Sequence, residues 1–422
     1  MKQAVVTQAI PGSATTQDYL DGTFSSDVKA ALFLITGATA TDTATAHGRI
    51  GIGITDFTNH RVVSESSQNG LVATNVTACN TRSGVASCIA LVETNTSTFT
   101  VQATASSQAT GARASFSDID AAQLCSALLL GGSDIEVSVV SIPLTTGSDT
   151  NLDVAHGLSG EPDAYIVFNT GFSTGTQADG RVSMGFATRS GSTYTHASTT
   201  FESDGALTLG NSGVYAYVSD AYCGGRLTAT SWHHGVTLSQ SATPATTFYA
   251  SASATLATAS TWYCLCIKGV TAKCGVATLP TGTGSTALVT GMSVAPSVLL
   301  TLPTRITTVN SVLQNDDAGF FGLGLAVNNS TQCTAGGVSS DDNATTTNEK
   351  SYLNSAKALV TRSTTGTEVY SATVNSWDAG GVTLNYSAVA GTGTLAPYLA
   401  FGTQAAPVAG TPTMGRCIYI LP

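Results

Sequence analysis

The chain has 422 residues, of which 10% are charged and 42% hydrophobic, with a net charge of −10. Globular proteins carry roughly 25% charged residues, yet the apolar fraction here suffices for a packed core and excludes a disordered chain. The acidic balance, without any Lys/Arg cluster, excludes nucleic acid and an anionic membrane as partners, since phosphates are bound by clustered cations.

Taken in chain order, the first segment runs from Met1 through Val5-Val6-Thr7 to Ile10-Pro11 and lacks the apolar core of a signal peptide. No apolar run reaches the length of a membrane span, so a cell-surface protein of this sequence would need some other way out of the cytoplasm, release by lysis as part of a virus particle being one. An apolar run follows at Ala30–Ile35, then a glycine-spaced strand, Gly48-Arg49-Ile50-Gly51-Ile52-Gly53-Ile54. Ser117–Leu124 has the pattern of a helical turn or two, and Leu124–Leu130 is an apolar closing strand. The order then starts again. Val139-Val140-Ser141-Ile142-Pro143 leads to Ala164–Phe168, to Gly180-Arg181-Val182-Ser183-Met184-Gly185-Phe186, and to the closing strand Trp262–Ile267. After Leu279-Pro280 come Val298–Leu302, Gly319-Phe320-Phe321-Gly322-Leu323-Gly324-Leu325, a second short helical candidate around Asn348–Leu353, and Tyr398–Phe401. Leu421-Pro422 is the last such pair.

The four prolines follow one another at intervals of 132, 137 and 142 residues. Self-similarity at a long period marks a repeat architecture, and three units are expected at 1–143, 144–280 and 281–422, strung in a row with each proline strand closing a unit. Units two and three match further, Ser231-Trp232-His233-His234-Gly235-Val236-Thr237-Leu238 against Ser376-Trp377-Asp378-Ala379-Gly380-Gly381-Val382-Thr383-Leu384. Most elements alternate with period two, are rich in β-branched and aromatic residues, and are bounded by turn residues. The expected fold is therefore all-β: three tandem, mutually similar antiparallel sandwiches of jelly-roll-like type. No helix follows the Gly-x-Gly segments, so they read as strand faces approached closely by another layer and not as phosphate loops.

No catalytic, cofactor-binding or metal-ligating residue is assigned and no cofactor is expected. There is no nucleophile elbow, no His-Glu-x-x-His and no Walker loop. His47 and Asp179 share one repeat position with Ala318, and His233-His234 reads as a turn. The pairs Asp118/Asp120, Asp316/Asp317 and Asp341/Asp342 lack a ligand-loop pattern and read as solvated turns. Nine cysteines leave at least one without an intrachain partner. Cys79 and Cys88 are spaced to staple a hairpin, and Cys264 and Cys266 share a strand face. The simpler reading of all nine is buried small hydrophobes.

The segment His156-Gly157-Leu158-Ser159-Gly160-Glu161-Pro162-Asp163-Ala164-Tyr165-Ile166-Val167, with Met184-Gly185-Phe186-Ala187-Thr188 and Ser376–Asn385, resembles motifs of repeated β domains in tailed-bacteriophage virion proteins. Unit one departs from them, having Phe24-Ser25-Ser26-Asp27-Val28 in place of Gly-x-Pro. The resemblance implies a non-enzymatic structural protein located in the virion and displayed as a capsid decoration or a head or tail fibre. Its expected partners are other virion proteins and further copies of itself, a homotrimer by preference, with divergent unit one as the anchor. Two alternatives stand beside it: an adhesin recognising a host surface glycan, and a tailspike-like polysaccharide depolymerase.

Overall fold

The architecture is that of a computed structural model, which describes residues 1–404 apart from 14, 69–78, 85, 94–97, 120–121, 148, 171–174, 178–179, 204–213, 229–230, 257–258, 315–319, 328–330 and 339–348. The first repeat comprises β1 (Lys2–Ala9), β2 (Thr16–Leu20), β3 (Val28–Thr36), β4 (Thr45–Ala46), β5 (Gly48–Thr55), β6 (His60–Ser67), β7 (Cys79–Gly84), β8 (Ile89–Val92), β9 (Phe99–Gln108), β10 (Gly111–Asp118) and β11 (Leu124–Gly131). The second comprises β12 (Glu136–Leu144), β13 (Leu152–Ala155), β14 (Ala164–Asn169), β15 (Gly175–Gln177), β16 (Gly180–Ser190), β17 (Thr193–Ser203), β18 (Val214–Ser219), β19 (Gly224–Thr228), β20 (Ser231–Gln240), β21 (Thr247–Ala252) and β22 (Ser260–Lys268). The third comprises β23 (Val270–Thr278), β24 (Gly284–Val289), β25 (Val298–Thr301), β26 (Val312–Gln314), β27 (Phe320–Val327), β28 (Thr331–Val338), β29 (Lys350–Asn354), β30 (Leu359–Arg362), β31 (Glu368–Asp378), β32 (Gly381–Ala388) and β33 (Leu395–Thr403). Among the described residues none is helical. The helical candidates are instead the end of β10, the start of β11 and the strand β29.

Each repeat builds a large and a small antiparallel sheet in one strand order. The first pair is β1-β11-β3-β5-β6-β7 and β2-β10-β9-β8; the second is β12-β22-β14-β16-β17-β18 and β13-β21-β20-β19. The third is β23-β33-β25-β27-β28-β29 and β24-β32-β31-β30. The seventh strand of every large sheet is borrowed. Strand β15 completes the first sheet, β26 the second and β4 the third. The loan runs from two to one, three to two and one to three, so the repeats form a closed ring and not the expected row. Seven strands against four also make each sandwich more lopsided than an eight-stranded jelly roll.

The expected unit boundaries shift for a related reason. The proline-bearing strands β1, β12 and β23 pair with β11, β22 and β33, the closing strands of their own repeats. They therefore open each repeat, and the joints fall at residues 132–135 and at Gly269, not after Pro143 and Pro280. Both Gly132 (φ 101°) and Gly269 (φ 90°) adopt backbone angles that favour glycine. Pro143 is tolerated inside β12 because that strand lies on a sheet edge, where a missing N–H costs no ladder bond.

Alternation decides which layer each side chain enters. On β3, Ala31, Phe33 and Ile35 pack toward the small sheet, whereas Ala30, Leu32 and Leu34 enter a core shared with the other two repeats. On β14 the same division separates Tyr165 and Val167 from Ala164, Ile166 and Phe168. The shared core also takes Val298, Leu300, Leu323 and Leu325 of the third repeat. Central strands of the large sheets are thus buried on both faces, as β5, β11, β14 and β27 are at every residue, and so read as unbroken apolar runs. In the small sheets β9, β10 and β21 alternate between buried and more exposed positions, whereas β8 and β30 are buried throughout.

Gly53, Gly185 and Gly324 fall at the crossing of large and small sheets. A Cβ there would lie 2.0 Å from Cys88 O, 2.5 Å from Cys223 O and 2.0 Å from Ala358 O. Each carbonyl belongs to the residue just before β8, β19 or β30, an edge strand of its small sheet, and those three residues donate to Ala103 O, Val236 O and Ala372 O alike. Hydroxyls bridge the same gap: Val92 N–H donates to Ser64 Oγ (3.0 Å), Gly225 N–H to Ser183 Oγ (2.9 Å), and Thr301 Oγ1 to Ala358 O (2.9 Å). The register also shows that Val236 of β20 corresponds to Ala372 of β31, so the two Trp-bearing segments do not coincide. Ser231–Leu238 lies wholly on β20, while Ser376–Leu384 spans the β31–β32 hairpin. Replacing Gly324 by Ala is expected to cost about 3 kcal/mol through forced separation of the layers. Gly282→Ala, with nothing within 4 Å, should stay within about 0.5 kcal/mol; denaturant titration of both variants checks the pair.

Candidate functional site

The ring is held at the repeat boundaries by two kinds of lock. The first is the borrowed strand with the residue that leads into it. Strand β4 pairs Thr45 with Ser351 and Ala46 with Lys350. Before it Asp42, at φ 61°, donates its N–H to Leu353 O (2.8 Å). Its carboxylate accepts from Asn354 Nδ2 and from Arg362 Nη2, both at 2.8 Å. Before β26, Asn310 at φ 57° donates to Val218 O (2.8 Å). Its side-chain oxygen accepts from Ser219 Oγ (3.1 Å) and Tyr217 OH (3.3 Å), and its Nδ2 donates to Asp220 (2.7 Å). Asp and Asn are the non-glycine residues that best tolerate this conformation. The corresponding lead-in of repeat two, 171–174, lies outside the described residues.

The second lock seats each opening strand against the preceding repeat. Val139 N–H donates to Asp56 Oδ2 (2.9 Å) and Cys274 N–H to Thr188 Oγ1 (3.3 Å). Val139 and Cys274 share a register, opposite Leu265 and Leu399, and Asp56 and Thr188 share the end of the partner strand. In repeat three that place is held by Val327, at the end of β27, so the closing seam is apolar here. Burial pushes the Asp56 carboxyl up, but N–H donors from Asn59, Val139 and Thr58 outweigh it and hold the group below the usual range.

Grooves flank these seams. One of about 640 Å³ between repeats one and two is lined by Lys29, Asp56, Phe57, Glu136, Gly157 and Leu158. Its counterpart of about 320 Å³ between repeats two and three has Arg189, Lys273, Cys274, Gly291 and Met292. The charges along them are spent on neighbours. Lys268 Nζ pairs with Glu136 (2.7 Å), Arg189 with Asp163 (2.9 Å) and Lys273 Nζ with Thr290 O (2.5 Å). Gly157 (φ 69°) and Gly291 (φ 72°) make equivalent turns that drop Leu158 and Met292 into the sandwiches. His156 is buried, its Nδ1 accepting from Leu158 N–H (3.1 Å), and so shapes that turn. On the ring interior, Glu65 and Glu349 line a cavity with Ser67, Phe201 and Phe321 of about 10 Å³, room for one water.

The sequence candidates scatter. His47 sits at φ 70° ahead of β5, while Asp179 and Ala318 lie outside the described residues. Asp118 is exposed at the end of β10, and Asp120, Asp316, Asp317, Asp341 and Asp342 lie outside the description. His233 and His234 are not a turn: they belong to β20, beside a bulge opposite Arg226 and Leu227. Trp232, next to them, is stacked between Tyr217 (3.9 Å, 22°) and Tyr222 (5.5 Å, 27°). Gly225 and Gly235 give those rings room, since a Cβ would lie 1.8 Å from Trp232 and 2.2 Å from Tyr222. The seven described thiols are free and buried. Cys88 therefore staples nothing, and Cys264 and Cys266 do share a face, Sγ to Sγ 3.7 Å. Among the described residues no three His, Cys, Asp or Glu groups are placed to hold a metal. Comparison with protein-family models, curated proteins and solved structures found no match.

Sequence reasoning missed both locks. Asp56 and Asn310 look like ordinary turn residues until the neighbouring repeat is placed beside them. Replacing Asp56 by Ala is expected to cost about 2 kcal/mol at pH 7, as for a hydrogen-bonded charge. Because the folded carboxyl lies low, that loss should shrink as the pH falls through the carboxylate range, which denaturation at pH 7 and pH 3 would show.

Two imidazoles, His234 buried and His196 half-buried, add a separate window. Burial pulls His196 down to about 4, against the opposing pull of Leu238 O. Burial, then the charges of His233 and Arg226, pulls His234 down to about 3. Only the unfolded chain takes up these protons near pH 6, so stability is full above about 6.5 and falls as the pH drops toward 4. Urea midpoints across that interval should slope, and should flatten in the His196→Gln/His234→Gln variant.

Proposed function

We propose that the chain is a non-enzymatic bacteriophage virion protein, displayed on the particle surface as a capsid decoration or fibre. The observation that carries this reading is the cyclic loan of β4, β15 and β26, which gives one chain three like faces around a common core. Such an object matches threefold positions of a closed shell, where symmetry presents three equivalent contacts. The phage-like segments of repeats two and three, and a surface rich in hydroxyls and poor in charge, support the same reading. A ring closed within one chain takes over the task of a homotrimer, so one chain per threefold position is proposed, bound to other virion proteins. The anchor is not assigned to repeat one alone, because its strands contribute to the shared core and cannot be removed intact.

The two alternatives fit less well. A glycan-binding adhesin needs an open aromatic face, but Trp232 is stacked with Tyr217 and Tyr222, Trp262 is buried and Trp377 packs against the third sandwich core. A tailspike-like depolymerase would rest on a parallel β-helix, whereas the paired strands here run antiparallel.

Mass measurement in solution is expected to give a single chain of 42.6 kDa, and a map of the whole particle to place one chain on each threefold or quasi-threefold site. A stable homotrimer in solution, or turnover of a host polysaccharide by the purified protein, would overturn the proposal.

A further inference from the structure

A bulge recurs at one place in all three small sheets. On β9 the ladder passes from Val101, opposite Leu91, to Phe99, opposite Val92, and Thr100 is left over. On β31 it passes from Tyr370 to Glu368 and leaves Val369. On β20 it passes from His234, opposite Arg226, to Trp232, opposite Leu227, and leaves His233. A bulge re-aims the side chains around it. In repeat two it brings His233 Nδ1 to 2.8 Å from His234 Nδ1, although neighbours on a regular strand point to opposite faces.

Two ring nitrogens at that distance share one proton, and burial decides which ring owns it. His234 is fully buried, its ring edge-on to Trp262, and its Nε2 meets no hydrogen-bond partner. A proton on that Nε2 would be a buried donor without an acceptor, and orphaned buried N–H groups are the rarer defect. His234 therefore carries its proton on Nδ1 and donates it to part-exposed His233, whose Nδ1 accepts.

That bond sits beside a seam. Trp232, next to His233, stacks on Tyr217 at 3.9 Å and on Tyr222 at 5.5 Å. Tyr217 lies on β18 opposite Val312 of the borrowed strand β26, and Trp232 and Val312 pack against one small apolar cluster. Arg226 on β19 is the charged group that faces both imidazoles, and it disfavours their protonation. Asp220, which faces Tyr217, accepts from Asn310 Nδ2 at 2.7 Å.

We propose that the His233–His234 bond is an acid-released latch on the loan of β26 from repeat three to repeat two. When His233 takes a proton both its nitrogens become donors, so its Nδ1 no longer accepts. Either His234 then loses its hydrogen-bond partner, or its proton moves to Nε2 inside the core. Burial, then the charge of Arg226, lowers the proton affinity of His233 in the closed ring. Only the released form takes up the proton near pH 6, so the latch is whole above about pH 6.5 and weakens as the pH falls. The other repeats have Thr100 and Val101, or Val369 and Tyr370, at these places. One seam of the three carries the latch.

Imidazole nitrogen spectra at pH 7.5 test the tautomer. His234 is expected with its proton on Nδ1, and a proton on Nε2 would overturn the proposal. Amide protection, corrected for the intrinsic exchange rate, reads the release. Between pH 7 and pH 5 it is expected to fall about tenfold further on β26 (Val312–Gln314) than on β15 (Gly175–Gln177). His233→Gln keeps an acceptor for His234 but does not titrate, and should abolish that difference. Equal losses on β26 and β15 in the unaltered chain, or an undiminished difference in the variant, would sink the latch.

Discussion

The structure depends on one constraint: the large sheets are apolar on both faces, and two different partners must cover them. The small sheet of each repeat covers the outer face. Only the other two large sheets cover the inner one. A repeat alone would leave Leu32, Leu34, Ile50, Ile52 and Ile54 bare on its inner side, at roughly 1.5–3 kcal/mol per side chain exposed. The ring is therefore a condition of folding and not an arrangement of finished domains. Borrowed strands follow from it, since sheets brought face to face around a centre bring their free edges beside the next repeat, and a free edge invites a strand.

Low charge and abundant Ser, Thr and Gly belong to the same economy of space. Where Gly53, Gly185 and Gly324 let a carbonyl approach, an ion pair would have no room, and a hydroxyl such as Ser64 or Ser183 gives the exposed N–H a partner within the layer gap. Buried charged groups are few, Arg49, Glu65, Glu202, Glu349 and Arg362 among the described residues. Buried polar atoms must be paired, and short hydroxyls do this at small cost in volume.

Much of this was legible in the residues. The repeat, the all-β class, the closing strands and the close approach at the paired glycines follow from spacing and composition. Pairing partners do not, because periodicity reports which face a residue takes and says nothing about which strand lies beside it. A proline strand reads the same whether it ends one sheet or begins the next, so the joints were placed one strand late. Likewise Ser231-Trp232 and Ser376-Trp377 matched as strings while lying at opposite ends of equivalent strands, β20 and β31, since a short run of β-formers and glycine fits several places in a sheet. Lys350–Asn354 looked helical in isolation; the neighbouring strands β28 and β4 override its local preference. The locks at Asp42, Asp56 and Asn310 were invisible for the plainest reason: their partners are between 83 and 320 residues away.

The closing seam differs from the other two, with Val327 where its counterparts are Asp56 and Thr188. In an assembly of three identical chains, any substitution arrives three times, and a residue suited to one seam must suit them all. Joining the copies into one chain lifts that restriction. Each boundary can be tuned alone, each outer surface can drift toward its own neighbour, and one repeat can acquire an aromatic stack like that around Trp232 without imposing it on the rest. A ring of this kind keeps the geometry of threefold symmetry while shedding its genetic burden.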